Sequence, residues 1–206
     1  MRAELELKIA KQFRRRARAA RRRPAWMPAL LAALCIGVGA HSVRAAGASK
    51  EYAVKAAFLV KFAHYVHWPA ASFPAADTPI SIGVLGEDPF GDLLDQLVQG
   101  DAVGTDKRKI MVKRSKKLDD LKSCQVLFIG KTEAAQIAQV LAGLGQAGIL
   151  TVGETEGFAH RGGIINFYLA GENGDKVRFE INNDAAESRG LKIDPGLLRL
   201  ATVVHK

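Results

Sequence analysis

Cysteine is scarce in this chain of 206 residues, which contains only Cys35 and Cys124. Metal-binding modules built on several Cys and His residues, and small scaffolds held by several disulfides, are therefore excluded. The phosphate-loop motif and the Gly-x-Ser-x-Gly motif are also absent from the sequence. Because these motifs are the common signatures of nucleotide binding and serine hydrolysis, we expect no cofactor and no metal ion.

Acidic residues are scarce only at the N-terminus. Residues 1–45 contain eleven Lys and Arg residues but only two Glu residues, a net charge of +9. The totals of 30 basic and 21 acidic residues leave nineteen of each for residues 46–206. Since this part of the chain is neutral overall, we expect it to have no basic face and no nucleic-acid partner.

The N-terminal 45 residues have the organisation of an export signal. A basic segment ends at Arg23, and the apolar run Ala29–Ala40 follows it. Twelve apolar residues suit the core of a signal peptide, whereas a membrane span needs about 20. The sequence therefore predicts a signal peptide over residues 1–45 and an exported domain over residues 46–206.

Small residues after the apolar run are compatible with cleavage after Ala45 or after Ala48. The alternative is an uncleaved anchor formed by the uncharged stretch Pro24–Val43. Both alternatives keep the basic end inside the cell and place the domain in the periplasm.

Hydrophobic periodicity predicts a single α/β domain. A helix over Glu51–Val66 has apolar side chains at helical spacing and a solvent-facing edge at Lys55 and Lys61. Strands and helices then alternate, which is typical of a largely parallel sheet flanked by helices. Asn173 and Gly174 predict the turn of a C-terminal antiparallel hairpin. The predicted strands are Ile80–Leu85, Lys109–Arg114, Val126–Ile129, Ile149–Val152, Ile164–Leu169 and Lys176–Ile181, and the predicted helix starts are capped by Asp88, Thr132 and Asp194.

A glycine-punctuated loop joins the predicted strands Ile149–Val152 and Ile164–Leu169 and contains Glu154, Glu156, Phe158 and His160. Because ligands usually dock at the carboxyl ends of the strands in such a sheet, the sequence predicts a ligand or partner site at these four residues. Glu154, Glu156 and His160 have the groups that acid–base chemistry needs, although carboxylates on a loop are usually only solvated. Glu154 is equally suited to capping backbone amides of its own turn.

Trp68 and Phe73 lie in a proline-containing loop after the first helix and complete the set of candidate binding residues. Each aromatic side chain either closes the end of the core or stacks on a ligand. His64 and His67 have a spacing that a metal could use, but no third ligand lies nearby, which favours ordinary histidines. Cys124 begins an apolar run and is interpreted as a small buried side chain, with an intermolecular bridge or a redox role as the alternative.

Four stretches in the chain, taken in order, resemble the YfiR family of small exported proteins. They are EYAVKAAFLVKF at residues 51–62 with Trp68-Pro69 downstream, IGVLG at 82–86 followed by PFG at 89–91, VGETEGF at 152–158 with GGIINF at 162–167, and KVRFEIN at 176–182 followed by GLKI at 190–193 and LLRLA at 197–201. Each stretch is short, but the ordered set spans nearly the whole exported domain.

The resemblance implies a periplasmic regulatory protein that is not an enzyme. In YfiR-type systems the protein represses a membrane-bound diguanylate cyclase through that enzyme's periplasmic sensor region, and an outer-membrane lipoprotein relieves the repression. Such a system couples the state of the envelope to cyclic-di-GMP and biofilm formation, and family members form homodimers. This chain departs from relatives with paired cysteines because its domain has only Cys124. A periplasmic small-ligand sensor is the alternative function, and an enzyme is the third.

Overall fold

The computed structural model describes the backbone of residues 41–205 and the side chains of residues 50–205. The basic segment and the apolar run of the predicted signal peptide lie outside these residues. The two candidate cleavage positions, Ala45 and Ala48, lie where only the backbone is described. The predicted leader therefore stays a prediction.

The described residues contain five α-helices, three short 3-10 helices and ten strands. The α-helices are α1 His41–Tyr65, α2 Asp92–Val98, α3 Ala134–Leu144, α4 Asn183–Glu187 and α5 Pro195–Leu198. The 3-10 helices are Ala70–Ser72, Leu118–Leu121 and Ala159–Arg161. The strands are β1 Val66–His67, β2 Ile80–Leu85, β3 Ala102–Val103, β4 Arg108–Ser115, β5 Val126–Ile129, β6 Leu150–Gly153, β7 Ile165–Ala170, β8 Lys176–Asn182, β9 Lys192–Ile193 and β10 Thr202–Val204.

Eight strands form the central sheet in the order β10-β8-β7-β6-β5-β2-β4-β3. The five strands from β4 to β7 are parallel to their neighbours in this order, whereas β7 and β8 form an antiparallel hairpin. Strand β10 adds parallel to β8, and β3 pairs antiparallel with β4. The structure thus confirms the predicted mixed, largely parallel α/β domain with a C-terminal hairpin.

Two hydrophobic cores lie on the two faces of the sheet, as the continuous apolar run of β5 predicts. Val126 and Phe128 belong to the core shared with α1 and α2, whereas Leu127 and Ile129 belong to the core shared with α3. Since successive side chains of a strand point to opposite faces, a strand covered on both sides must be apolar throughout. Four aromatic rings of α1, β7 and β8 pack together in the first core, namely Phe58, Phe62, Phe167 and Phe179.

Helix α1 ends earlier than predicted because its C-terminal neighbours join a strand. Val66 and His67 pair antiparallel with Lys192 and Ile193 as the small sheet β1–β9. The carbonyl oxygen of Tyr65 accepts a hydrogen bond of 2.8 Å from the Asp194 N–H. The helix therefore ends at Tyr65, where the chain enters strand β1.

Two of the three predicted helix caps are wrong. The Asp88 carboxylate accepts from the Phe90 N–H at 2.8 Å, but the helix begins only after Gly91, whose positive φ of 51° no other residue adopts readily. Glu133 and not Thr132 precedes α3, and its side chain caps no amide. The predicted cap at Asp194 is confirmed, because its carboxylate accepts from the Gly196 N–H.

Candidate functional site

Glu154 lies at the carboxyl edge of the sheet, directly after β6, and is 8% exposed. One carboxylate oxygen, Oε2, lies 2.5 Å from Lys55 Nζ of α1. The other, Oε1, accepts hydrogen bonds of 3.2 Å from the Tyr52 hydroxyl and from the Lys131 N–H. Glu154 therefore connects α1, the end of β6 and the loop after β5, and the amide that it caps belongs to another loop and not to its own turn.

Lys55 is only 2% exposed, although the sequence pattern predicts that it lies on the solvent-facing edge of its helix. Its ammonium contacts a second carboxylate, Glu51, and lies 4.7 Å from the centre of the Tyr52 ring. We refer to Glu51, Tyr52, Lys55 and Glu154 as the ion cluster. A buried ammonium is stable only when its charge is compensated by close partners, and here two carboxylates provide this compensation.

The environment of the ion cluster alters the pKa of Tyr52. Burial raises the pKa of Tyr52 to about 12, and the negative charge of Glu154 adds to this increase. The hydroxyl therefore stays protonated and donates to Glu154. The ring packs edge-on against Phe90, which in turn packs against Phe128 of β5. Side chains of α1 thus fill the place near the strand ends where α/β proteins usually bind ligands.

Phe158 is fully buried in the second core, between two strands that approach closely. A Cβ atom on Gly163 would lie 2.1 Å from Phe158 Cε1, and one on Gly153 would lie 2.5 Å from Phe158 Cγ. Glycine is required at both positions because the Phe158 ring occupies the space of a side chain. This residue is a packing residue of the loop and offers no surface to a ligand.

Glu156 and His160 are exposed on the same loop and make no hydrogen bond to Glu154 among the described residues. The backbone oxygen of Glu156 accepts from Arg161 Nη1 at 2.7 Å, which closes the loop on itself. The structure therefore does not bring Glu154, Glu156 and His160 together as an acid–base group.

Trp68 and Phe73 lie at the amino edge of the sheet, opposite Glu154. The Trp68 indole N–H donates to the Gln125 carbonyl, just before β5, at 3.0 Å. The guanidinium of Arg108 lies 4.3 Å from the centre of the Phe73 ring. Both aromatic side chains are half-buried against the first core, which favours the interpretation that they close its end. The six candidate residues thus do not form one continuous surface.

His64 and Cys124, for which the sequence left a metal-binding or redox role open, have ordinary structural surroundings. His64 Nε2 lies 3.1 Å from Asp101, and no group of three potential metal ligands occurs among the described residues. Cys124 is buried, and burial raises the pKa of its thiol, in agreement with the interpretation as a small core side chain. None of the helices described over residues 41–205 combines the length and the apolar character that crossing a membrane requires.

An open groove of about 780 Å³ lies between α2 and the β3–β4 hairpin. Its lining includes Asp92, Asp95 and Asp101 on one side and Lys107 and Lys109 on the other. None of the six residues predicted from the sequence lines this groove.

Comparison with known proteins identifies a matching family and similar solved structures, including one from Vibrio cholerae. The model of a family described as YfiR/HmsC-like matches residues 52–202, which is well over half of the chain. The crystal structure of a conserved domain protein from Vibrio cholerae O1 biovar El Tor has 19% sequence identity to this chain and a TM-score of 0.43. That similarity covers 61% of this chain and 54% of the Vibrio protein, so the chain spans about half the length of that neighbour.

Proposed function

Because the chain belongs to the YfiR/HmsC-like family, we propose that it is a non-catalytic periplasmic regulatory protein that represses an inner-membrane diguanylate cyclase. Repression would act through the periplasmic sensor region of the cyclase and would couple the state of the envelope to cyclic-di-GMP and biofilm formation. Family membership supports a regulatory role, and the cyclase as its target is our proposal. On the same basis we propose that an outer-membrane lipoprotein relieves the repression and that the domain forms a homodimer.

The observation that carries this proposal is the family match over residues 52–202, which includes nearly all the described elements. The geometry of the predicted site supports binding more than catalysis. Glu154, the buried carboxylate of the loop, is held by Lys55 and Tyr52, whereas His160 is exposed elsewhere on the same loop. A general acid–base pair must reach the same reacting atom, and these two groups are not arranged to do so.

The test measures cellular cyclic-di-GMP in a strain from which the gene is deleted. One complementing gene encodes the full chain, and a second lacks residues 1–45 and so keeps the domain in the cytoplasm. We expect deletion to raise cyclic-di-GMP and only the full chain to restore the original level. An unchanged level after deletion, under conditions in which the gene is expressed, would exclude the cyclase as the target. Restoration by the version without the leader would contradict action from the periplasm.

A further inference from the structure

One stretch of the domain is strongly basic although the domain is neutral overall. Residues 107–117 contain seven Lys and Arg residues and no acidic residue. They form the last turn of the β3–β4 hairpin, strand β4 and the residues after it. The expectation of no basic face was therefore wrong at this place, because the net charge of residues 46–206 as a whole does not reveal a local cluster of basic residues.

Strand β4 has two different faces. Ile110 is buried in the first core, and Arg114 forms ion pairs with Asp88 and Asp95 beside α2. The opposite face presents Lys109, Met111 and Lys113 to solvent, with Met111 48% exposed. Lys109 also borders the groove between α2 and the β3–β4 hairpin. Neither lysine forms an ion pair among the described residues, although Lys113 Nζ lies 3.4 Å from the hydroxyl of Ser123.

The outer edge of β4 is also open over most of its length. Strand β3 pairs only with Arg108 and Lys109, and no described strand pairs with the outer edge beyond them. The Ser115 carbonyl accepts from the Gly86 N–H on the β2 side. Because backbone groups alternate in direction along a strand, the N–H and C=O groups of Val112 and Arg114 point to the free edge.

We propose that this edge docks an extended, acidic segment of a partner protein, which adds to the sheet as a further strand beside β4. The free backbone groups would supply main-chain hydrogen bonds, as in other complexes formed by strand addition. Lys109 and Lys113, about 13 Å apart along the strand, would face acidic side chains, and Met111 between them would contact an apolar one. The favoured segment thus has acidic residues two positions to either side of a central apolar residue.

The chemistry of the edge favours this occupant over two others. Lysines on an edge strand repel the same lysines of a second copy, so self-pairing through β4 is disfavoured. Nucleic acid or an anionic lipid surface would use the positive charge but not the free backbone groups. The inference deepens the proposed function, on which it rests for the identity of the partner, since the acidic segment would belong to the regulated or releasing protein.

The first test measures binding of a labelled nine-residue peptide to the protein as purified from the producing cell. The peptide has Val at its centre, Glu two positions to either side and Thr at the other positions. Fluorescence anisotropy is the readout, and the same peptide with Lys in place of Glu is the charge control. The exposed pair Lys109→Glu/Lys113→Glu should weaken binding by roughly tenfold or more, because two attractive cross-strand pairs become repulsive. The matched variant Lys61→Glu/Lys176→Glu makes the same charge change at two exposed lysines elsewhere and should have less than about a twofold effect.

The second test separates strand addition from simple charge attraction. In one peptide the amides of the central Val and the two Glu residues are N-methylated, and in another the amides of the four Thr residues adjacent to them are N-methylated. Only one of these sets can donate to β4, so one methylated peptide should lose binding and the other should keep it. Val112→Pro should also abolish binding, since it removes an N–H that faces the free edge, and circular dichroism would check that this variant is folded.

Three outcomes would overturn the inference. They are no binding of the acidic peptide, equal effects of the two double charge variants, and equal binding of the two methylated peptides. The last outcome would show that charge attraction alone holds the peptide, as expected of a surface for nucleic acid or anionic lipid. In cells, the exported Lys109→Glu/Lys113→Glu variant should fail to restore cyclic-di-GMP in the deletion strain. If the deletion itself changes nothing while the peptide results hold, the proposed cyclase target fails and the docking edge remains.

Discussion

Lys55 brings a positive charge into the protein interior, and its environment shows how that charge is tolerated. Two carboxylates compensate it, Glu51 from the preceding turn of α1 and Glu154 from the end of β6. The second contact spans 99 positions of sequence and connects the first helix to the centre of the sheet. Removing one partner of a buried ion pair is strongly destabilising, because the other charge is left without compensation.

We therefore expect Glu154→Gln to lower the free energy of unfolding by about 2–4 kcal/mol. Glu156→Gln, the same change at an exposed carboxylate two residues away, should alter it by no more than about 0.5 kcal/mol. The double variant Lys55→Met/Glu154→Gln should recover part of the loss, since it removes the buried ammonium that Glu51 alone is left to compensate. Urea unfolding measures all three variants, and similar results for Glu154→Gln and Glu156→Gln would show that the ion cluster does not stabilise the fold.

Tyr52 predicts a dependence of stability on alkaline pH. Its pKa is about 12 in the folded protein, above the ordinary 10.0 of a tyrosine. Between these values the unfolded chain loses the proton of Tyr52 while the folded protein keeps it. The contribution of Tyr52 to the free energy of unfolding is therefore fully present below pH 10 and falls as the pH rises towards 12. The stability advantage of the unchanged protein over Tyr52→Phe should therefore shrink across this range in urea unfolding. Parallel pH profiles for the two proteins would contradict the prediction, and partial exposure of Tyr52 keeps the expected effect small.

At this scale the sequence could predict one half of the ion cluster. Glu154 stands out because a carboxylate directly follows a buried strand. Lys55 has no such local signal, since helical periodicity places it among solvent-facing side chains and its partner is distant in sequence. The sequence analysis placed Phe158 in a ligand-binding loop. A pattern of glycines does not reveal which side chain fills the space beside them, and here the Phe158 ring fills it.

At the scale of elements, the loop between β6 and β7 is a packed unit. Phe158 anchors it in the second core, and the Thr151 hydroxyl accepts from the Ile164 N–H at 3.0 Å where the next strand begins. Gly157 and Gly162 have φ values of 71° and 94°, which lets the chain reverse on either side of a short 3-10 helix. The loop is thus packed against the strand ends, and its exposed side chains are Glu156, His160 and Arg161.

Gly163→Ala should destabilise the protein by at least about 1–3 kcal/mol, because the new methyl group would overlap the Phe158 ring and overpack the core. Adding Phe158→Leu to that variant should recover part of the loss by making room for the methyl group. Gly130→Ala is the matched control, since its Cβ would meet no atom closer than 3.9 Å. Thermal unfolding compares the variants, and equal midpoints for Gly163→Ala and Gly130→Ala would show that the loop is not packed in this way.

The elements predicted correctly are those with a strong pattern of their own. β2 and β5 have the predicted bounds, and β4, β6, β7 and β8 differ from the prediction by about one residue at their ends. The missed strands β1, β3, β9 and β10 have only two or three residues each. Their extended conformation is set by partner strands that are distant in sequence, so no local periodicity could reveal them.

At the scale of the whole molecule, the neutral total charge conceals a separation of charge. With seven basic residues concentrated in residues 107–117, the rest of the region from residue 46 onward must have a net charge of −7. The electrostatic field of a domain with separated charges has a direction, and it orients an approaching charged partner before contact. Composition predicts the total, but only the fold shows that Lys109 and Lys113 share one exposed strand face while Arg114 is neutralised on the other.

Trp68 provides a test of whether the domain unfolds as one unit. It is the only tryptophan in residues 46–206, and it lies at the amino edge of the sheet, far from the ion cluster. Residues Val43–Lys206 form one compact unit, and small single domains usually unfold in one cooperative transition. The urea midpoint from Trp68 fluorescence should therefore equal the midpoint from far-ultraviolet circular dichroism, in the unchanged protein and in Glu154→Gln alike. If Glu154→Gln lowered the midpoint seen by circular dichroism while the fluorescence midpoint stayed, the two edges of the sheet would unfold separately. Coupled edges would instead mean that a partner bound at β4 stabilises the whole domain, including the ion cluster on α1.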